Sequence, residues 1–318
     1  MMKKKFLLIA LSSLTFGACT TDDVEVASGD WIKKSALDGV ARHAAVGFVI
    51  DNMGYLGLGA DEDNKKQSDF WKFDPVKNSW SQVANFPGAA RTAGVGLSIA
   101  GKGYVGTGLD SEEVRLNDFW EYNPATNKWT KKKDFEGTAR RNATAFSINN
   151  LGYIGTGFDG SYLKDFFAYN PSTDTWSKVS SIGGEKRLGA ASFVINGKAY
   201  VGTGNNNGID QIDFWEYDPA TDIWTEKLNF EETTVSRSYG VGFTINGKGY
   251  FATGSNNSTV WRYNPADNTW EEVTAFEGTT RNYAVGWGIG NYGYVATGSN
   301  GLSKFDDIWS LTPDVVQE

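Results

Sequence analysis

Six arginines hold the densest potential for chemistry in these 318 residues: Arg42, Arg91, Arg140, Arg187, Arg237 and Arg281. A guanidinium is a planar fork of N–H donors that pairs with carboxylate or sulfate in a bidentate way. Six of them near one axis would make a ring for an anionic group. Asp69, Asp118, Asp165, Asp213 and Asp307 recur in step with them, and pairing would turn the same groups into locks between structural units. A feature repeated in every unit more often serves the fold, so the structural pairing is the favoured reading. Residues that break the repetition are better candidates for binding. Arg141 adds a second guanidinium beside Arg140. His43, Tyr239 and Tyr283 stand just after the repeated Arg, where other units carry small or different residues.

Composition removes several other chemistries. The chain has one His, His43, and one Cys, Cys19. They exclude the usual His/Cys zinc and copper sites and an internal disulfide framework. No metal and no cofactor are expected. Asp61, Glu62 and Asp63 resemble a calcium loop only faintly and read as a solvated acidic loop. Nucleophilic Ser–His chemistry would rest on His43 alone. The net charge of −8, with no Lys/Arg run longer than three residues, excludes a nucleic-acid partner.

The elements that must hold these residues repeat six times. Each Arg is followed thirteen residues later by a Tyr: Tyr55, Tyr104, Tyr153, Tyr200, Tyr250 and Tyr294. Each Tyr opens a short strand ending at a glycine: GLG, GTG, GTG, GTG, ATG, ATG. A polar loop and an Asp-aromatic-aromatic strand come next, except in the fifth repeat, which has Thr259-Val260-Trp261. Five repeats turn through Asx-Pro and reach Trp80, Trp129, Trp176, Trp224 or Trp270. The first strand of each repeat alternates apolar residues with a period of two. Asn196-Gly197 and Asn246-Gly247 signal tight hairpins, and Asx-Pro pairs signal type I turns. The sixth repeat lacks its last Trp, but Trp31 precedes Arg42 by the spacing of Trp80 to Arg91. A strand at Trp31 therefore completes the last repeat and removes an open sheet edge.

This order of Arg, Tyr, glycines, aromatic pair and Trp resembles the kelch repeat over about residues 31–313. The resemblance implies an all-β fold: a six-bladed β-propeller of four-stranded antiparallel blades, its ring closed by the N-terminal strand. Kelch propellers include a copper oxidase of galactose and a sialic-acid epimerase. The oxidase needs several His and a Tyr–Cys crosslink, which this chain lacks; an epimerase using Arg and carboxylates stays open.

The start of the chain reads as an address. Met1–Lys5 are basic, Phe6–Phe16 mostly apolar, and Gly17-Ala18 precede Cys19. That is a secretory signal, too short to span a membrane. Its end resembles the bacterial lipobox, with Phe16 where Leu is more usual, which implies a diacylglycerol-modified Cys19. The expected organisation is a signal peptide over 1–18, a lipidated Cys and polar tether over 19–30, and the propeller over 31–318. By resemblance, Thr20 points to an outer-membrane lipoprotein of the cell envelope and Asp22-Asp23 to its display on the surface. The expected function is a monomeric module binding a glycan or a protein through its loop face, with membrane contact through the lipid alone. A sugar epimerase or mutarotase is the alternative.

Overall fold

The computed structural model describes residues 28–229 and 237–316, which form strands, turns and loops. The signal peptide, Cys19 and nearly all of the tether lie outside the described residues. Six four-stranded antiparallel sheets make the six blades of a propeller. Blade 1 consists of strands Val46–Ile50, Met53–Gly57, Phe70–Asp74 and Ser79–Val83. Blades 2 to 5 repeat that order. Blade 6 takes Val285–Ile289, Tyr292–Ala296 and Ile308–Val316 from the end of the chain and Ser28–Lys33 from its beginning.

Closure of the ring therefore occurs as the Trp31 spacing predicts, with Trp31 paired to Leu311 and Lys33 to Trp309. The strand begins three residues earlier than the sequence suggests, because Ser28 pairs with Val316 beyond a register shift. That irregularity lets the partner strand carry Pro313, which has no N–H to give a ladder.

Every first strand buries alternate side chains, as in Val46, Phe48 and Ile50. These pack between blades, while Gly47, Gly96, Ala145, Ser192, Gly242 and Gly286 face a channel of about 210 Å³ on the axis. Six strands converge there, and side chains must be small. A Cβ at Gly96 would lie 2.6 Å from the Gly47 carbonyl oxygen. Asn196 and Gly197 adopt φ of 51° and 75°, as a hairpin with two left-handed residues requires. Asp74 Oδ1 accepts N–H groups of Val76 and Lys77, each at 3.0 Å, capping its proline turn.

The fourth-strand Trp residues join neighbouring blades. Trp80, Trp129, Trp176, Trp224 and Trp270 each donate Nε1–H to a carbonyl leaving the previous blade, those of Ser35, Ala84, Lys133, Ser180 and Leu228. Trp31 packs edge-on against Phe276 at 4.9 Å, but its buried Nε1 has no hydrogen-bond partner among the described residues.

Candidate functional site

The loops between second and third strands share one face of the disc with the segments that precede each first strand. The six repeated Arg lie there and are completely buried. Arg42 grips Asp69 in bidentate fashion at 2.6 and 2.7 Å and donates to the carbonyls of Leu58 and Val40. Arg91, Arg140, Arg187 and Arg281 do the same with Asp118, Asp165, Asp213 and Asp307. Burial alone would raise the Asp69 carboxyl; the Arg42 hydrogen bonds and charge overrule it and hold it below the usual carboxylate range. Arg237 meets Thr259 instead, through the carbonyl at 2.8 Å and Oγ1 at 2.6 Å, and burial pushes its guanidinium down to about 10. Each Asp belongs to the same blade as its Arg. The main chain supplies the link across blades, for Arg42 donates to Phe305 and accepts from Gly298 of blade 6. The repeated Arg are buried, with their donors turned inward and occupied, as the structural pairing requires.

Two residues after each Arg, the chain meets the axis. Ala44, Ala93, Asn142, Gly189, Tyr239 and Tyr283 all adopt a left-handed backbone, with φ between 51° and 63°. This turns each N–H toward the blade before it. Ala93 donates to Ala44, Asn142 to Ala93, Gly189 to Asn142, Tyr239 to Gly189, Tyr283 to Tyr239, and Ala44 back to Tyr283, at 2.9 to 3.0 Å. Six peptide groups thereby close a head-to-tail hydrogen-bonded ring around the mouth of the channel.

Their side chains are the least symmetric feature of this face. The Tyr239 and Tyr283 rings lie 4.3 Å apart, inclined by 34°. Tyr239 also covers Gly189, where a Cβ would come within 2.6 Å of the ring. His43 meets the edge of Tyr283 at 6.0 Å. Its Nδ1 lies 3.2 Å from the Ala60 carbonyl, so a neutral ring donates there and keeps Nε2 as an acceptor. Burial, helped by the charge of Lys304, lowers the His43 pKa. Burial raises the hydroxyl pKa of both tyrosines, while the nearby Arg141 charge pulls in the opposite direction.

Arg141 differs from its neighbour Arg140. It is half-buried, its guanidinium stands 5.6 Å over the Phe158 ring, and no carboxylate of the described residues pairs with it. Arg141, His43, Tyr239 and Tyr283 are therefore brought to one mouth. Asn142 joins them without having been singled out in the sequence. Asn142 had a readable signal: it is the third sizeable residue at the ring position.

Blade 3, which carries Arg141, is also set apart by its loop. Elsewhere the loops are tied to neighbours: Lys304 to Glu62, Lys66 to Glu113, Ser255 to Asp210, and Asn256 to Asn282. Among the described residues, no side-chain hydrogen bond joins loop 158–163 to the corresponding loops of blades 2 and 4. Grooves of about 500 and 610 Å³ open on its two sides.

No curated protein matches the chain. A solved structure titled "Structure of YjhT" superposes with a TM-score of 0.75 at 19% identity, covering 86% of this chain and 95% of that one. The family described as "KLHDC2/KLHL20/DRC7 Kelch-repeats domain" matches residues 43–254, more than half of the sequence. With six four-stranded blades, five of them holding the same Arg–Asp pair, the chain belongs to the kelch-repeat β-propellers.

Proposed function

We propose that this protein is an extracytoplasmic, lipid-anchored binding module that captures a carboxylated glycan at the mouth of its propeller. The observation that carries this reading is Arg141, a guanidinium with no carboxylate partner among the described residues, beside two closely packed tyrosines and an amide. A sugar acid offers a carboxylate for the guanidinium, a C–H face for aromatic rings, and hydroxyls for Asn142 and His43 Nε2.

The two tyrosines carry strain that favours a use for their rings. A left-handed backbone costs a residue with a Cβ roughly 1–2 kcal/mol, and Gly or Asn would sit there more easily. Strain of this kind collects where a side chain serves a ligand.

Anchoring rests on the signal sequence and Cys19. A Cys19→Ser protein should leave the membrane fraction or stall in processing; unchanged anchoring would refute it. The tether would join the disc at Ser28, the end of its strand remote from loop 297–307. Eight residues, 20–27, reach on the order of 30 Å at most. The mouth would then look away from an outer-membrane surface.

The enzymatic alternative, epimerisation or mutarotation of a sugar, needs a free carboxylate near the mouth. Asp210 is closest in kind, and it already accepts hydrogen bonds from Asn205 at 2.8 Å and Ser255 at 2.6 Å. That engagement favours binding. A glycan array tests the proposal: acid-bearing sugars should be retained by the native protein and lost from Arg141→Ala. Retention of neutral glycans alone would sink it, and anomer exchange of a retained sugar, followed by NMR, would favour the enzyme.

A further inference from the structure

The groove between blades 3 and 4 shares a wall with the mouth. Phe158, over which Arg141 stands, forms one end of it, and Tyr162 packs edge-on against Phe158 at 5.3 Å and 70°. Across the groove stand Glu185, Lys186, Asn206 and Asn207. Asn207 donates to Asn206 Oδ1 at 3.1 Å, and Asn206 donates to Glu185 Oε2 at 3.3 Å. These groups are ordered by one another.

We infer that this groove is a second saccharide subsite, so that the protein takes an oligosaccharide whose acidic residue sits at Arg141 and whose next residues run outward between blades 3 and 4. The inference rests on the glycan reading above and gives that ligand a length and a direction. The groove's chemistry is distinct from the mouth's. It holds one carboxylate, Glu185, and one ammonium, Lys186, so it has no surplus charge with which to hold a second anion. Amides donate and accept at once, as hydroxyls do. Two aromatic rings offer flat apolar surface for the C–H face of a pyranose. The volume of about 610 Å³ falls within the ~300–1,000 Å³ common for ligand sites. The groove on the other side of blade 3 has Val114, Arg115, Thr138 and Asp159 and no aromatic ring, and it is not part of the path.

The test uses glucuronic acid- and sialic acid-terminated saccharides of one to four residues, titrated into the purified native protein and two variants, Tyr162→Ala and Asn206→Ala. For the native protein, affinity should rise at least tenfold between one residue and three. Each variant should bind the single acidic sugar as the native protein does, within about twofold, and lose most of the gain with length. Thermal unfolding shows that the variants are folded. Affinity independent of length in the native protein, or a variant that weakens every length equally, overturns the second subsite while sparing the mouth. No binding of any member overturns the glycan reading and the subsite with it.

Discussion

Tyr239 donates its backbone N–H to the carbonyl of Gly189 and lays its ring over the same glycine. The first contact is shared by every blade, whereas the second belongs to this pair alone. Structural and ligand-directed roles therefore separate within a single residue. Tyr239→Asn keeps the ring of peptide hydrogen bonds and suits a φ of 59°. We expect stability within about 1 kcal/mol of native and a marked loss of glycan binding. Urea unfolding beside binding to an array-selected acidic sugar checks it; a collapse in stability would show that the tyrosines serve the fold.

Arg187 and Arg141 should part company. Arg187 is fully buried and binds Asp213 through both terminal nitrogens. Removing one member of a buried pair costs about 3–5 kcal/mol, because the remaining charge keeps its desolvation and loses its partner. Arg187→Ala should approach that loss in urea. Arg141→Ala should stay within about 0.5 kcal/mol and abolish binding. Similar behaviour in both assays would remove the distinction between repeated and unique Arg.

The Trp joints give a second contrast. Trp176 Nε1 donates to the Lys133 carbonyl at 3.1 Å, while buried Trp31 Nε1 has no partner among the described residues. Trp176→Phe strands a carbonyl and should cost about 1–3 kcal/mol. Trp31→Phe removes an unsatisfied donor and should cost less, leaving only the smaller ring to count. Comparable melting-temperature losses would show that Trp31 Nε1 finds a partner in solution.

Acid should act in two stages. His43 is held below its ordinary value, so the unfolded chain takes up the proton first. Stability contributed by the neutral ring falls as pH drops below about 6.5. Asp69, Asp118 and Asp307 are also held low, by their Arg partners against burial. Their contribution is present above about pH 4, the unfolded carboxyl value, and lost as pH falls through the folded values. Urea midpoints across this range should show a shallow decline and then a steep one. His43→Gln should erase only the shallow stage.

The blades were legible because packing imposes residue types at fixed intervals: Arg for the lock, Tyr and Trp between sheets, glycine where strands crowd. The hydrogen-bonded ring was not, because peptide groups make it and its positions read Ala, Ala, Asn, Gly, Tyr, Tyr. Arg141, His43, Tyr239 and Tyr283 stood out by breaking the pattern. Asn142 is legible only by its size at the ring position, because Asn is common in left-handed turns. The grooves beside blade 3 arise from loop contacts between residues far apart in sequence. Ser28–Asp30 showed no apolar alternation, which hid the true start of the closing strand. Thr259 was visible as a departure, yet only the structure shows its hydroxyl and carbonyl serving Arg237.

The pairing of Ser28–Lys33 with Ile308–Val316 also sets an order in time. Ser28–Lys33 is made well before its partner, which lies about 280 residues further along. Blades 1 to 5 can each form from contiguous sequence, but blade 6 must wait for both ends to meet. Joining such distant segments is slow, since loop-closure entropy precedes any contact that offsets it. Until then the first strand and the third strand of blade 6 each present unpaired N–H and C=O groups. The stage most exposed to aggregation therefore lasts until Ile308–Val316 has been made and has met Ser28–Lys33, and a chain truncated before Ile308 would remain at that stage.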